Sequence, residues 1–180
     1  MIIGPKKLLK LVKEINLVEN LSERELANPE GAGFDLRLGE VHRISGGRAF
    51  LGIDERETPT IETVAKFHPK KRQSVTIKPG EYYLVTTLEK VNTPLDIAIL
   101  FKPRTTTFRS GLNLRTGNVA PGYQGVLTFG ISNEGPIPVI MELGCRFVHA
   151  QFFWVDGGGI QYRGQWQGGR VTTKKREKQV

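Results

Sequence analysis

The chain has 180 residues, of which 38% are hydrophobic and 24% charged, and its formal net charge is +8, which favours one globular domain with a basic surface. No apolar run approaches the roughly 18 residues that span a bilayer, and lysines interrupt the N-terminal apolar residues, so we expect no membrane association and a cytoplasmic location. The single cysteine, Cys145, excludes an internal disulfide, and with three scattered histidines it argues against a structural zinc site.

The first elements are predicted to be helical. The segment GPKKLLKLVKEI places apolar residues at helical spacing with lysines opposite them. These apolar residues are Leu8, Leu9, Val12 and Ile15. Ser22 and Glu25 in LSERELAN resemble a capping box and predict a short second helix.

From Gly33 onward the pattern changes to that of strands. Apolar and polar residues alternate along GFDLRLGEVHRI, which predicts a half-buried strand. Six further strand-like segments follow at roughly ten-residue spacing, which is typical of an antiparallel sandwich or barrel. They are SVTI, KPGEYYLVTTLEKV, IAILFK, GVLTFGISN, PVIMELG and RFVHAQFFWV. The chain has no GxGxxG after a strand and no Walker loop, which excludes a parallel nucleotide-binding sheet of those types.

The segment KPRTTTFRSGLNLR carries the densest set of phosphate-binding side chains. Arg104 and Arg109 bracket three threonines, and guanidinium and hydroxyl groups suit phosphate oxygens. If residues 105–108 form a helical turn, its dipole also favours an anion. A basic turn with Arg109 in a structural ion pair is the alternative. The +8 charge fits either a solvated surface or a polyanionic ligand.

Groups for acid–base catalysis are scarce in the second half of the chain. Between Asp96 and Gln179 the only carboxylates are Glu134, Glu142, Asp156 and Glu177. The three histidines lie far apart in sequence, so no Ser-His-Asp arrangement is predicted.

Two glycine-rich segments contain more side chains than a simple connection needs. RTGNVAPGYQG is either a turn or the floor of a pocket. DGGGIQYRGQWQGGRV is either a loop packed on its own core or a flexible lid over a ligand. We therefore divide the chain into one β domain, residues 1–155, and a closing segment with a basic tail, residues 156–180.

Five motifs, in the right order, resemble the dCTP deaminase and dUTPase family. They are GFDLRLG, RTTTFRSGL, NVAPGYQGVLTFGISNEGP, ELGCRFVHAQFF and YRGQWQGG. Together they extend over nearly the whole chain, with the closest resemblance to archaeal members that straddle the two activities.

The resemblance implies a mainly β fold, a jelly-roll-like or distorted β-barrel of the dUTPase type with a short N-terminal helical segment. It also implies a homotrimer with three active sites, each shared between subunits. The ligand would be dUTP or dCTP, with Mg²⁺ bound through its triphosphate rather than by a metal site of the protein.

The motifs also imply roles for individual residues. The phosphate-binding residues would be Arg104, Thr105, Thr106 and Arg109. The residues around the base and sugar would be Thr116, Gly117, Asn118, Val119 and Tyr123, with Tyr123 against the deoxyribose. The residues that close over the ligand would be Tyr162, Gln165, Trp166 and Gln167.

The chain departs from the family pattern where the catalytic groups are expected. The dUTPase aspartate that activates water corresponds to Ala120, and the deaminase glutamate that shuttles protons corresponds to Gly130. The motif glutamine corresponds to His149, and the lysine of the closing segment to Gln165.

Three explanations of these departures stay open. The chain has lost catalysis, or it uses a carboxylate such as Asp35, Glu134 or one from a neighbouring subunit, or Ala120 is an engineered replacement. A glycine at position 130 favours dUTP diphosphatase over dCTP deaminase. The alternative is a catalytically inactive trimer that binds nucleotides or, less favoured, nucleic acid.

Overall fold

The computed structural model describes residues 1–179, which form three helices and thirteen strands. The helices are α1 (Pro5–Ile15), α2 (Glu23–Ala27) and α3 (Thr105–Arg109). The strands are β1 (Val18–Glu19), β2 (Phe34–Gly46), β3 (Phe50–Leu51), β4 (Glu55–Glu57), β5 (Thr60–Lys66), β6 (Ser74–Ile77), β7 (Tyr82–Asn92), β8 (Ile97–Pro103), β9 (Leu112–Arg115), β10 (Gln124–Asn133), β11 (Val139–Glu142), β12 (Arg146–Trp154) and β13 (Glu177–Lys178).

Eight of these strands form one sheet that curls into a nearly closed barrel. Its central order is β8-β12-β2-β7-β10-β9, with β1 added to β7 and β5 added to β2. The long strand β2 joins the two halves, because its first residues pair with β12 and its later residues pair with β7 and β5. The mainly β, barrel-like fold with a short N-terminal helix is therefore confirmed.

The predicted N-terminal helix is present as α1. Pro5 stands at its first turn, where a missing N–H costs nothing, and Asn16 ends it in the left-handed conformation with φ 52°. Leu8 and Leu11 are buried against the barrel, whereas the lysines of the helix lie outside. No helix within residues 1–179 is long and apolar enough to cross a membrane.

The second helix, α2, is also confirmed, but its cap is only half of a capping box. Ser22 Oγ accepts a hydrogen bond from Glu25 N at 3.4 Å. The Glu25 side chain is buried and its Oε2 accepts from Asp35 N at 3.1 Å instead of returning to Ser22. The glutamate thus joins α2 to the start of β2.

The core fills the inside of the barrel with the apolar faces of the strands. Phe34, Leu36 and Leu38 of β2 all have zero exposure, as the alternation in GFDLRLG predicts. Phe129 packs edge-to-face with Phe101 and Phe147, at centroid distances of 5.0 and 5.8 Å.

The C-terminal segment, residues 156–179, packs back on the same chain. β13 pairs with β4, which also pairs with β3, so that the tail completes a small three-stranded sheet. Thr58 N donates to Thr173 Oγ1 at 3.0 Å, and the Thr58 hydroxyl lies 2.8 Å from that of Thr172. These contacts hold the tail against the short connection between β4 and β5.

Candidate functional site

A cavity of about 410 Å³ lies between the β7–β10 surface, the loop before β10 and the C-terminal segment. Most of its lining is apolar or aromatic, with a few hydroxyl and amide groups. The lining residues are Ile44, Thr58, Pro59, Tyr82, Leu84, Phe101, Gly117, Asn118, Val119, Ala120, Tyr123, Leu127, Thr128, Phe129, Tyr162, Trp166, Arg170, Val171 and Thr172.

The loop of residues 116–123 forms one wall of this cavity and is held by backbone hydrogen bonds. Val119 exchanges two of them with Ile99 of β8, at 2.9 and 3.1 Å. The Thr93 hydroxyl donates to the carbonyls of Ala120 and Tyr123, at 3.1 and 2.7 Å. Four of the five residues predicted to surround base and sugar line the cavity, whereas Thr116 is exposed and lies outside it.

The Tyr123 side chain lines the cavity and is held in place by contacts at both its hydroxyl and its ring. Its hydroxyl donates to the carbonyl of Val126 at 2.7 Å, and its ring packs edge-to-face on Tyr162 at a centroid distance of 5.4 Å. Burial raises the pKa of Tyr123 to about 12, so the phenol stays protonated near neutral pH. The ring therefore offers an uncharged, rigid surface to a ligand.

Trp166 also lines the cavity, and its ring is in contact with two guanidinium groups. Arg56 lies 4.7 Å from its ring centroid and Arg170 lies 5.0 Å from it. Arg170 is held in turn by Glu177, with Nη1 donating to Oε2 at 3.0 Å. This stack anchors the C-terminal segment so that Tyr162 and Trp166 both line the cavity.

The two predicted glutamines of the C-terminal segment lie outside the cavity. Gln165 accepts a hydrogen bond from Arg56 and donates to the carbonyl of Lys178. Gln167 accepts from the backbone of Gln124 at 3.2 Å and donates to the Gly122 carbonyl at the same distance. Both fasten the segment to the rest of the chain.

The segment also crosses β10 too closely for any side chain at Gly125. A Cβ there would lie 2.5 Å from the backbone nitrogen of Gly169 and 2.6 Å from the carbonyl carbon of Gly168. A glycine at this position is therefore a condition for docking the C-terminal segment.

The predicted phosphate-binding residues lie apart from this cavity. Arg104 is the N-cap of α3, and the helical turn predicted at Thr105 is confirmed. Thr105, Thr106 and Arg109 are exposed to solvent. None of the four lines the cavity, so one described chain does not bring the two predicted halves of the site together.

Arg104 instead belongs to a cluster centred on the buried carboxylate of Asp35. Its Nε lies 2.7 Å from Asp35 Oδ2, and Arg146 and His149 each approach the carboxylate to 2.9 Å. Burial alone would raise the pKa of Asp35, but the hydrogen bond from His149 and the charges of Arg104 and Arg146 outweigh it and lower that pKa below its ordinary value. Asp35 is therefore an ionised structural group.

Neither of the carboxylates considered as replacements for a catalytic base reaches the cavity. Asp35 is occupied by its cluster, and Glu134 accepts from Asn113 and Ser132 at 2.7 and 3.1 Å. Among the lining residues, all of them within residues 1–179, Arg170 is the only one with a charged side chain. Residues 1–179 contain no cluster of three or more acidic, histidine or cysteine side chains placed to hold a metal ion.

The comparisons with known proteins identify the family. The dCTP deaminase-like family model matches residues 2–153. The chain belongs to the dCTP deaminase-like family.

Individual members of this dCTP deaminase-like family resemble the chain over most of its length. A probable deoxyuridine 5'-triphosphate nucleotidohydrolase of Methanothermobacter thermautotrophicus is 32% identical over 167 residues, covering 93% of this chain and 99% of the relative. A dCTP deaminase of Pyrococcus furiosus is 33% identical over 171 residues, covering 94% and 96%.

A solved structure of another protein has a similar fold. The 2'-deoxycytidine 5'-triphosphate deaminase from Agrobacterium tumefaciens superposes with a TM-score of 0.64 at 17% identity. The match covers 84% of this chain, which spans about half of that protein, 47% of its length.

The two family positions that lack carboxylates differ in their surroundings. Ala120 lines the cavity, and its carbonyl is fixed by Thr93. Gly130 is buried, and Tyr82 of the neighbouring strand lies over it. A carboxylate at position 120 would border the cavity, whereas a side chain at position 130 would require the Tyr82 side chain to shift, because its hydroxyl occupies that space.

Several cavity residues were missed by the sequence analysis. Tyr82 and Leu84 share one face of β7, and their period of two was a usable signal. Arg170 follows the motif YRGQWQGG directly, and its guanidinium group is the positive charge in the cavity lining. Thr58 and Pro59 come from a short connection before β5, where no sequence pattern predicts a contact with the tail.

Proposed function

We propose that this protein binds and processes pyrimidine deoxynucleoside triphosphates, as a dUTP diphosphatase first and a dCTP deaminase second. The observation that carries the proposal is the meeting of three predicted elements in one cavity. They are the loop of residues 117–120, the ring of Tyr123, and the aromatic side chains Tyr162 and Trp166. The names of the relatives support the same substrate class.

The shape and chemistry of the cavity suit a nucleoside. Its volume of about 410 Å³ lies in the range of small-molecule sites, and its walls are largely apolar with a few polar groups. The fixed ring of Tyr123 would lie against the sugar, where an added 2'-hydroxyl would be disfavoured. We infer selection for deoxyribose from this placement.

The triphosphate would be held by a second subunit. Arg104 and Arg109 lie outside the cavity of their own chain, so we propose a homotrimer in which α3 of one subunit reaches the cavity of the next. Exposed apolar side chains favour such a contact, since Phe108, Ile137 and Ile140 are 53%, 64% and 71% exposed.

Mg²⁺ would enter with the substrate. The proposal places it on the phosphate oxygens of the ligand, because Mg²⁺ is commonly bound through substrate phosphates and few protein ligands. We place the activity in the cytoplasm as part of the same proposal.

Hydrolysis ranks ahead of deamination because of position 130. Deamination in this family relies on a glutamate there, whereas this chain has Gly130, with the end of the Tyr82 side chain in the space that a side chain at position 130 would take. The lining also supports a second candidate, binding without turnover. Arg170 is the only charged side chain among the described lining residues, so none of them supplies a carboxylate to activate water.

The test combines binding with product analysis. The protein is titrated with dUTP, dCTP, dTTP and UTP in the presence of Mg²⁺ by calorimetry, and the same mixtures are separated chromatographically. We expect saturable binding of dUTP and dCTP, weaker binding of UTP, and dUMP with diphosphate as products. Binding without products would favour the second candidate, and light scattering measures the subunit number.

Absence of saturable binding to any of the four nucleotides would contradict the proposal. Salt-dependent binding of DNA by the same preparation would then favour the nucleic-acid alternative, which the net charge of +8 permits.

A further inference from the structure

Tyr82 takes the space that a side chain at position 130 would need. A Cβ added to Gly130 would collide with the Tyr82 hydroxyl and would lie 3.0 Å from Cζ and 3.1 Å from Cε2. In the register of β7 and β10, Gly130 is opposite Leu84 and Ser132 is opposite Tyr82. The tyrosine therefore leans diagonally over the glycine.

The ring and the hydroxyl of Tyr82 need separate explanations. An aromatic ring over a cross-strand glycine replaces missing packing, and a phenylalanine would do this equally well. The hydroxyl adds a polar group to a residue that lines the cavity and is 39% exposed. Within residues 1–179 it has no hydrogen-bond partner, unlike the hydroxyls of Tyr83 and Tyr123, which bond Glu81 and Val126.

We propose that the Tyr82 hydroxyl binds the exocyclic group at C4 of the pyrimidine in this cavity. This inference rests on the first-ranked part of the proposed function, a dUTP diphosphatase rather than a deaminase, and it assigns the base-recognition group that replaces the family glutamate. Leu84 and Thr128 line the cavity beside Tyr82, so a flat base can lie along the same β7–β10 surface.

A phenol suits binding of either base and suits deamination poorly. A hydroxyl both donates and accepts, so it can donate to the O4 of uracil or accept from the N4 amine of cytosine. An ionised carboxylate only accepts, and it can take up a proton during attack on the ring. We therefore expect a site that holds dUTP and dCTP with similar affinity and does not convert one into the other.

The experiment compares two tyrosines of one strand and three ligands. Affinities are measured by calorimetry for dUTP, dCTP and the 2-pyrimidinone deoxynucleoside triphosphate, which lacks the exocyclic group at C4. The proteins are the wild type, Tyr82→Phe and the matched control Tyr83→Phe, whose ring is buried on the opposite face of β7.

We expect the wild type and Tyr83→Phe to prefer dUTP and dCTP over the analogue by roughly 3- to 10-fold, the effect of one neutral hydrogen bond. Tyr82→Phe should bind all three ligands equally, at the affinity of the analogue. If Tyr82 is only structural, Tyr82→Phe should weaken the binding of all three ligands alike and keep the preference for dUTP and dCTP over the analogue. That result would overturn the inference.

The possible results distinguish a failure of this inference from a failure of the proposed function. A wild type that binds no pyrimidine deoxynucleotide would refute the proposed function together with the inference. A wild type that binds them, with a preference that survives in Tyr82→Phe, would refute the inference alone. Conversion of dCTP into dUTP by the wild type would also contradict it.

Discussion

Arg104 Nε lies 2.7 Å from Asp35 Oδ2, so the predicted phosphate-binding arginine is anchored by a carboxylate of its own chain. A guanidinium has five N–H groups, and the contact of Nε leaves the two terminal nitrogens for other acceptors. Thr107 of the same turn donates through its hydroxyl to the carbonyl of Phe147 at 2.9 Å, which fixes α3 on β12. Arg104 is thus held in one orientation before any ligand arrives.

Replacing Arg104 by alanine should weaken dUTP binding by roughly 10- to 100-fold, because hydrogen bonds to charged groups contribute about 1.5–3 kcal/mol each. Arg109→Ala should act in the same direction, since Arg109 ends the same turn. Calorimetry with dUTP and Mg²⁺ measures both effects. The control is Arg72→Ala, which removes the same charge from a side chain that is 91% exposed. Equal affinities in all three variants and the wild type would contradict the phosphate assignment.

Replacing Asp35 by asparagine should destabilise the protein at neutral pH and flatten its acid sensitivity. The pKa of Asp35 is lowered from its ordinary value because its partners outweigh its burial, so the folded state favours the ionised form. That stabilisation is complete above the pKa of the unfolded chain and is lost as pH falls through the folded value. Urea unfolding at pH 7 should show a loss of roughly 1.5–3 kcal/mol.

The pH series gives the sharper result for Asp35. Wild-type stability should decline below about pH 4, where an unfolded aspartate takes up its proton, and Asp35→Asn should decline less steeply. The control is Asp54→Asn on the connection between β3 and β4, outside this cluster. Parallel curves for the wild type and Asp35→Asn would show that the cluster does not depend on the charge.

Much of the fold could be predicted because its long elements repeat a simple period. Phe34, Leu36 and Leu38 alternate and are buried, and α1 forms where the apolar spacing predicts a helix, although Leu11 is buried and the predicted Ile15 is 43% exposed. The strands that escaped prediction are mostly very short, such as Phe50–Leu51 and Glu177–Lys178. Two residues cannot display a period, and each of these two strands forms by pairing with β4.

The cavity could be predicted only in part, since some of its lining residues meet only through contacts between segments that are distant in sequence. The loop around Val119 was found from its motif. The hydrogen bond between Thr58 and Thr172 joins residues 114 positions apart, and neither residue belongs to a motif. Arg104 was assigned to phosphate from its residue type, but its partner Asp35 becomes visible only when β2 and α3 are placed together.

Replacing Trp166 by alanine should release the C-terminal segment. The indole is in contact with both Arg56 and Arg170, and each cation–π contact contributes about 0.5–2 kcal/mol. Trypsin should then cleave after Arg163 and Arg170 faster than in the wild type, as followed by mass spectrometry. Arg56→Ala should act similarly, whereas the exposed Arg43→Ala should not. Unchanged cleavage in Trp166→Ala would mean that the remaining contacts of the segment, such as those of β13 and Thr172, retain the tail without the indole.

Replacing Ala120 by aspartate should create or increase dUTP hydrolysis. Ala120 lines the cavity and its backbone is held by Thr93, so the new carboxylate would face the ligand from a fixed position. A positioned general base contributes about 10²–10⁴-fold to a rate, and we expect a gain near the lower end because the rest of the site is not adapted to it. The measurement is diphosphate release from dUTP with Mg²⁺, with Ala120→Asn as the matched control of equal size that cannot accept the proton. A gain in both variants would point to a change in packing, and no gain in Ala120→Asp would show that the missing aspartate is not what limits hydrolysis in this cavity.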